Sequence, residues 1–109
     1  MSASSYYEEA FKLYEENLRL AREQGNKGGM ATALHYLGTL HLNRGGYQEA
    51  TSAFEKSLEI SGELGDKVGI RANLRQLAAS QRAVGNYKEA LSYTARALLY
   101  LGGEPAIPA

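Results

Sequence analysis

The chain has 109 residues, 12 Lys+Arg against 12 Asp+Glu, and 44% hydrophobic residues, which fits one small globular unit and excludes a multidomain enzyme. A net charge of zero lacks the excess of Lys and Arg that neutralising phosphates demands, so nucleic acid is not an expected partner. The absence of cysteine removes disulfides, thiolate zinc sites and thiol nucleophiles together, and favours a reducing, cytoplasmic setting.

The start, Met1-Ser-Ala-Ser-Ser5, carries neither a basic nor an apolar leader region, and no stretch approaches the roughly 20 apolar residues of a membrane helix, so no membrane association is expected. The first predicted helix, 5–24, sets Tyr7, Ala10, Tyr14 and Leu18 on one face and ends at Gly25-Asn26. The second, 28–44, has Leu34, Leu37, Gly38 and His41 at i, i+3, i+4, i+7 spacing and stops at Gly45-Gly46. Ala50, Phe54, Ser57 and Leu58 mark a third over 47–63, and Leu74, Leu77, Ala78 and Gln81 a fourth over 68–84; Gly65-Asp66 and Gly85-Asn86 follow them. The fifth, 87–101, repeats the pattern with Ala90, Thr94, Ala97 and Leu98. Residues 102–109 hold both prolines and are expected to form a flexible tail. No run alternates with period two, which leaves an all-α chain.

These helices are not independent. Tyr7, Glu9, Ala10 and Leu18 recur as Tyr47, Glu49, Ala50 and Leu58, and again as Tyr87, Glu89, Ala90 and Leu98, a period of 40 residues. Gly25, Lys27, Gly29, Leu34, Leu37 and Gly45 recur once, as Gly65, Lys67, Gly69, Leu74, Leu77 and Gly85. A fixed period of this length predicts a solenoid of antiparallel helix pairs.

The string Leu34-x-x-Leu37-Gly38-x-x-His41, followed by Gly45-x-Tyr47-x-x-Ala50-x-x-x-Phe54-x-x-x-Leu58, resembles the tetratricopeptide repeat. In that pattern Gly38 and Ala50 are small where paired helices cross, and Leu34, Leu37 and Phe54 fill the adjoining grooves. Leu74, Leu77, Ala78, Gly85, Tyr87, Ala90 and Leu98 make a second copy. The resemblance implies one domain over 1–101, built of a B-type half repeat at 5–24 and whole repeats at 28–63 and 68–101. The family's usual repeat has about 34 residues. The longer period, with its Glu63-Leu64-Gly65-Asp66 turn, resembles the branch found in LGN-type adaptors and in sensor domains of bacterial signalling ATPases.

No chemistry-bearing constellation emerges. His35 and His41 are six residues apart, which places them on different helix faces and prevents a shared metal. Gly25-Asn-Lys-Gly-Gly29 follows a helix and lacks the order of a phosphate-binding loop. The glutamate pairs at 8–9 and 15–16 diverge around their helix among Lys12, Arg19 and Arg22 and read as a solvated face. The chain is therefore expected to be no enzyme and to use no cofactor or metal.

The resemblance implies a ligand groove lined by the first helix of each pair: Thr32, His35, Tyr36, Thr39, Leu42 and Asn43, then Ala72, Arg75, Gln76, Ala79, Arg82 and Ala83. Tyr36, Gln76, Thr39 and Ala79 stand where carboxylate-gripping members carry asparagine and lysine, so that clamp is not expected. Arg71, Arg75 and Arg82 fall within about 40° of one another on the fourth helix and make the groove mildly basic, suited to an acidic or amphipathic protein segment. The last helix is unusually apolar, with Leu91, Leu98, Leu99 and Tyr100 as candidates for self-association, and Tyr6, Tyr7 and Phe11 begin an unpaired first helix. The preferred expectation is a peptide-binding interaction module; the alternatives are a self-assembling module, such as a homodimer, and a sensor unit of a larger signalling ATPase.

Overall fold

Every link between helices is two or three residues long and contains a glycine with positive φ, and this sets the geometry of the chain. Residues 3–101 are described in the structure, a computed structural model. They form α1 (Ala3–Glu23), α2 (Lys27–Asn43), α3 (Tyr47–Leu64), α4 (Lys67–Ala83) and α5 (Tyr87–Leu98). α1 starts two residues before the sequence pattern does, and α5 gives way to a turn before residue 101. The tail expected at 102–109 lies outside the described residues.

Gly45 and Gly85 adopt φ of 82° and 86°, a left-handed conformation in which a Cβ would be strained; Gly25 and Gly65 do likewise. Each glycine closes the preceding helix with a pair of backbone bonds. After α3, for example, the Gly65 N–H donates to the Gly62 carbonyl at 3.2 Å and the Asp66 N–H to the Ser61 carbonyl at 2.9 Å. Asp66 then caps α4, its carboxylate accepting from the Gly69 N–H at 3.0 Å, and Asn26 serves α2 through the Gly29 N–H at 2.9 Å. One residue thus ends a helix and starts the next, which reverses the chain within a few residues.

The reversals lay successive helices side by side, and the apolar stripes meet in three clusters. Leu18, Ala33, Leu34 and Leu37 join α1 to α2, with Ile60 of α3 packed against them. Ala50, Phe54 and Leu77 join α3 to α4, and Ile70, Leu74 and Ala97 join α4 to α5. Phe54, fully buried, lies so close to Gly38 that a Cβ there would meet the ring at 2.7 Å. The result is an antiparallel helix-pair solenoid with extents of 53 × 36 × 21 Å. No helix of the described residues is long and apolar enough to cross a membrane.

Candidate partner-binding face

α2 and α4 lie beside each other on one side of the slab, and a polar network ties them together. Ser57 of α3 donates its hydroxyl proton to the Ala31 carbonyl at 2.7 Å. Its oxygen is therefore the acceptor for the Asn73 amide at 2.9 Å, and that amide also donates to the Gly69 carbonyl at 3.0 Å. The Asn73 side-chain oxygen is left as an acceptor, 2.9 Å from His35 Nδ1. Neutral His35 consequently carries its proton on Nδ1 and presents Nε2 as an acceptor. Asn73 is 1% and Ser57 1% exposed, and no buried side-chain nitrogen or oxygen among the described residues lacks a partner. The network fixes both the lateral spacing of α2 and α4 and the ring orientation of His35. Phe54 supports that ring from below, at 5.5 Å between centroids.

His35 borders two depressions. One, of about 280 Å³, opens between the starts of α2 and α4 and includes Thr32, Tyr36, Leu64, Val68 and Ala72. The other, of about 500 Å³, runs along α4 past Ala72, Arg75, Gln76, Ala79 and Arg82 to Thr94 of α5. A third, of about 400 Å³, lies between α1 and α2, where Tyr36 stacks on Tyr14 at 5.2 Å. The structure thus brings together eight residues of the sequence-derived groove: Thr32, His35, Tyr36, Ala72, Arg75, Gln76, Ala79 and Arg82.

Others belong elsewhere. Arg71 is turned away from the groove and donates to the Tyr100 carbonyl at 3.2 Å, where the negative end of the α5 dipole lies. Leu42 packs on the Ala50, Phe54 and Leu77 cluster, and Thr39 returns its hydroxyl to the His35 carbonyl at 3.1 Å. Asn43 and Ala83 are exposed and line none of these depressions. Among the self-association candidates, Leu91, Leu98 and Leu99 are exposed, whereas Tyr100 is half-buried against Ile70, Leu74 and Ala97. At the other end Tyr7 and Phe11 are held by the last turn of α2 and the residue that caps it: Arg44 covers both rings, and His41 lies 4.8 Å from Phe11. Sequence reasoning missed Asn73 and Thr94. The signal for Asn73 was available, a polar residue amid the apolar Ile70, Leu74, Leu77 stripe where the preceding repeat has Ala33.

The electrostatics of the face come from two unpaired cations. Ion pairs among the described residues link Arg19 to Glu16 and Glu23, and Lys27 to Glu63 across the α2–α3 pair. A hydrogen bond from Arg19 holds the Glu16 carboxyl below its ordinary range, and one to Glu63 raises the Lys27 ammonium. Arg75 and Arg82 share in none of these pairs, and both are exposed on the wall of the larger depression. Among the described residues no group of three or more His, Asp or Glu is placed to hold a metal ion.

The helix pairs, their 40-residue repeat and the crossing of Gly38 with Phe54 define the class of the protein, and comparison by sequence agrees. The tetratricopeptide repeat family model matches residues 5–63 and again 29–98. The chain belongs to the tetratricopeptide repeat family, whose repeats mediate protein–protein interactions. No curated protein matches the sequence.

Proposed function

We propose that the chain is a non-catalytic interaction module whose α2/α4 face binds an acidic or amphipathic segment of a partner protein. The observation that carries this reading is the pair of unpaired arginines, Arg75 and Arg82, beside a depression whose remaining wall is Ala72, Ala78, Ala79, Gln76, Thr94 and His35. The alanines of the depression and its cationic rim together favour a segment that alternates carboxylates with small apolar side chains. His35 Nε2 adds an acceptor for a donor on the bound chain. The 40-residue period supports placing the module with LGN-type adaptors or signalling-ATPase sensors, where the same face would serve a partner domain.

The test is kinetic. An acidic, fluorescein-labelled amphipathic peptide is mixed with wild type and with Arg75→Glu/Arg82→Glu in a stopped-flow instrument. The variant should associate at least about tenfold more slowly, and raising salt should slow wild type in the same way. Binding indifferent to both changes would overturn the reading.

A further inference from the structure

The two ends of the array expose complementary surfaces. Adding one period to Tyr47, Thr51, Leu58 and Ser61 of α3 gives Tyr87, Leu91, Leu98 and Leu101. α4 covers three of the first set: the Thr51 and Ser80 hydroxyls meet at 3.0 Å, Leu58 packs on the clusters of Leu77 and of Ile70 and Leu74, and Ser61, beside Gly69, is 2% exposed. Among the described residues nothing covers the second set, which is 69%, 71%, 61% and 54% exposed. The chemistry runs opposite to the exposure, because covered Thr51 and Ser61 carry hydroxyls and uncovered Leu91 and Leu101 are leucines. A stripe of this kind marks an interaction surface.

The other end shows the converse. Ile60 and Tyr100 pack on the first helix of their own pairs, while their counterpart Leu20, with Leu13 and Tyr6 on the same row of α1, is uncovered at 39%, 66% and 69%. Glu9, Glu16 and Glu23 run alongside this row, each three residues beyond one of its members. α1 holds five glutamates, of which Glu16 and Glu23 pair with Arg19, against Lys12, Arg19 and Arg22, whereas α5, which carries the stripe, holds Lys88 and Arg96 against Glu89 alone. The neutral chain is thus electrically polar at its ends, with a net acidic first helix and a net basic last one.

We infer that the chain associates head to tail with a second copy of itself, the Tyr6, Leu13, Leu20 row of one copy seated on the Tyr87, Leu91, Leu98, Leu101 stripe of the next. Opposite charge at the two ends orients the contact, and two like ends repel. Because the joined surfaces differ, the contact is heterologous and can propagate beyond a dimer. It does not involve the α2/α4 depressions, so it stands apart from the groove reading.

Complementation in the analytical ultracentrifuge tests this with the whole 109-residue chain. Wild type should exceed its 11.9 kDa monomer mass progressively up to ~100 µM, with an apparent Kd on the order of 10 µM that weakens at least about tenfold in high salt. Leu13→Glu/Leu20→Glu and Leu91→Glu/Leu98→Glu, each alone, should remain helical monomers. Their equimolar mixture should give a dimer and nothing larger, since one competent end of each kind remains. Glu9→Lys/Glu16→Lys, which leaves the apolar residues in place, should weaken wild-type association about tenfold or more. A monomeric wild type at the highest concentration, a variant that dimerises alone, or a mixture that stays monomeric would each overturn the inference. The first result would mean that the ends are covered by other parts of the chain or await another protein. The second would mean a symmetric contact between like ends.

Discussion

Gly38 has no room for a side chain, because a Cβ would sit 2.7 Å from the buried Phe54 ring. Gly38→Ala and Ala50→Leu, the latter at a fully buried position, should each destabilise the fold by about 1–3 kcal/mol through overpacking, read as a lower urea midpoint with an unchanged slope. Both sites were legible in the sequence as part of the small-and-large pattern that the family shares. Asn73 was not, since its column reads Ala33 in the preceding repeat and only the fold brings Ser57 and His35 to it. Asn73→Ala should cost about 1–3 kcal/mol by stranding the His35 Nδ1–H and removing the bridge between α2 and α4. A His35→Phe/Asn73→Leu double variant should lose less than the sum of the single losses, as a thermodynamic cycle will show. Thr94, read in the sequence only as part of the packing face of the fifth helix, lines the larger depression for a related reason. It holds the place of Phe54 one repeat on, and opposite it Ala78 replaces Gly38, so a smaller pair leaves space that α4's larger depression occupies.

At the scale of helices, the glycines announced where each element stops, and the structure departs from those limits by no more than a few residues. What they could not convey is that the four turns differ in their caps. Asp66 and Asn26 bond the third amide of their helices, while Asn86 makes no such cap and instead donates its amide to Gln81 Oε1 at 2.9 Å. Asp66→Ala should therefore lower stability by about 0.5–2 kcal/mol, and Asn86→Ala by clearly less, in parallel thermal melts. Arg71 illustrates the limit of helical spacing as a guide. It shares a stripe with Arg75, yet a long guanidinium reaches whichever neighbour offers an acceptor, here the Tyr100 carbonyl at the end of α5. Arg71→Ala should speed amide exchange in the last turn of α5 while leaving α2 unaffected.

For the whole molecule, net charge is a poor descriptor. A net charge of zero conceals a net acidic α1 and net basic α4 and α5. The solenoid itself was legible because its period repeats across the chain; the partition of the aromatic residues at its first helix was not, since Tyr7 and Phe11 are engaged by Arg44 and His41 from the far end of α2. The proposed groove was legible only as a set of positions, eight of which line the two depressions that His35 borders. The most direct test of the functional reading maps the contact. In a nitrogen-15 amide NMR titration with the acidic amphipathic peptide at low salt, the largest shift changes should fall on Thr32, His35, Ala72, Arg75, Gln76, Ala79 and Arg82. Changes centred instead on the outer face of α3, around Glu55 and Lys56, or none at saturating peptide, would contradict it.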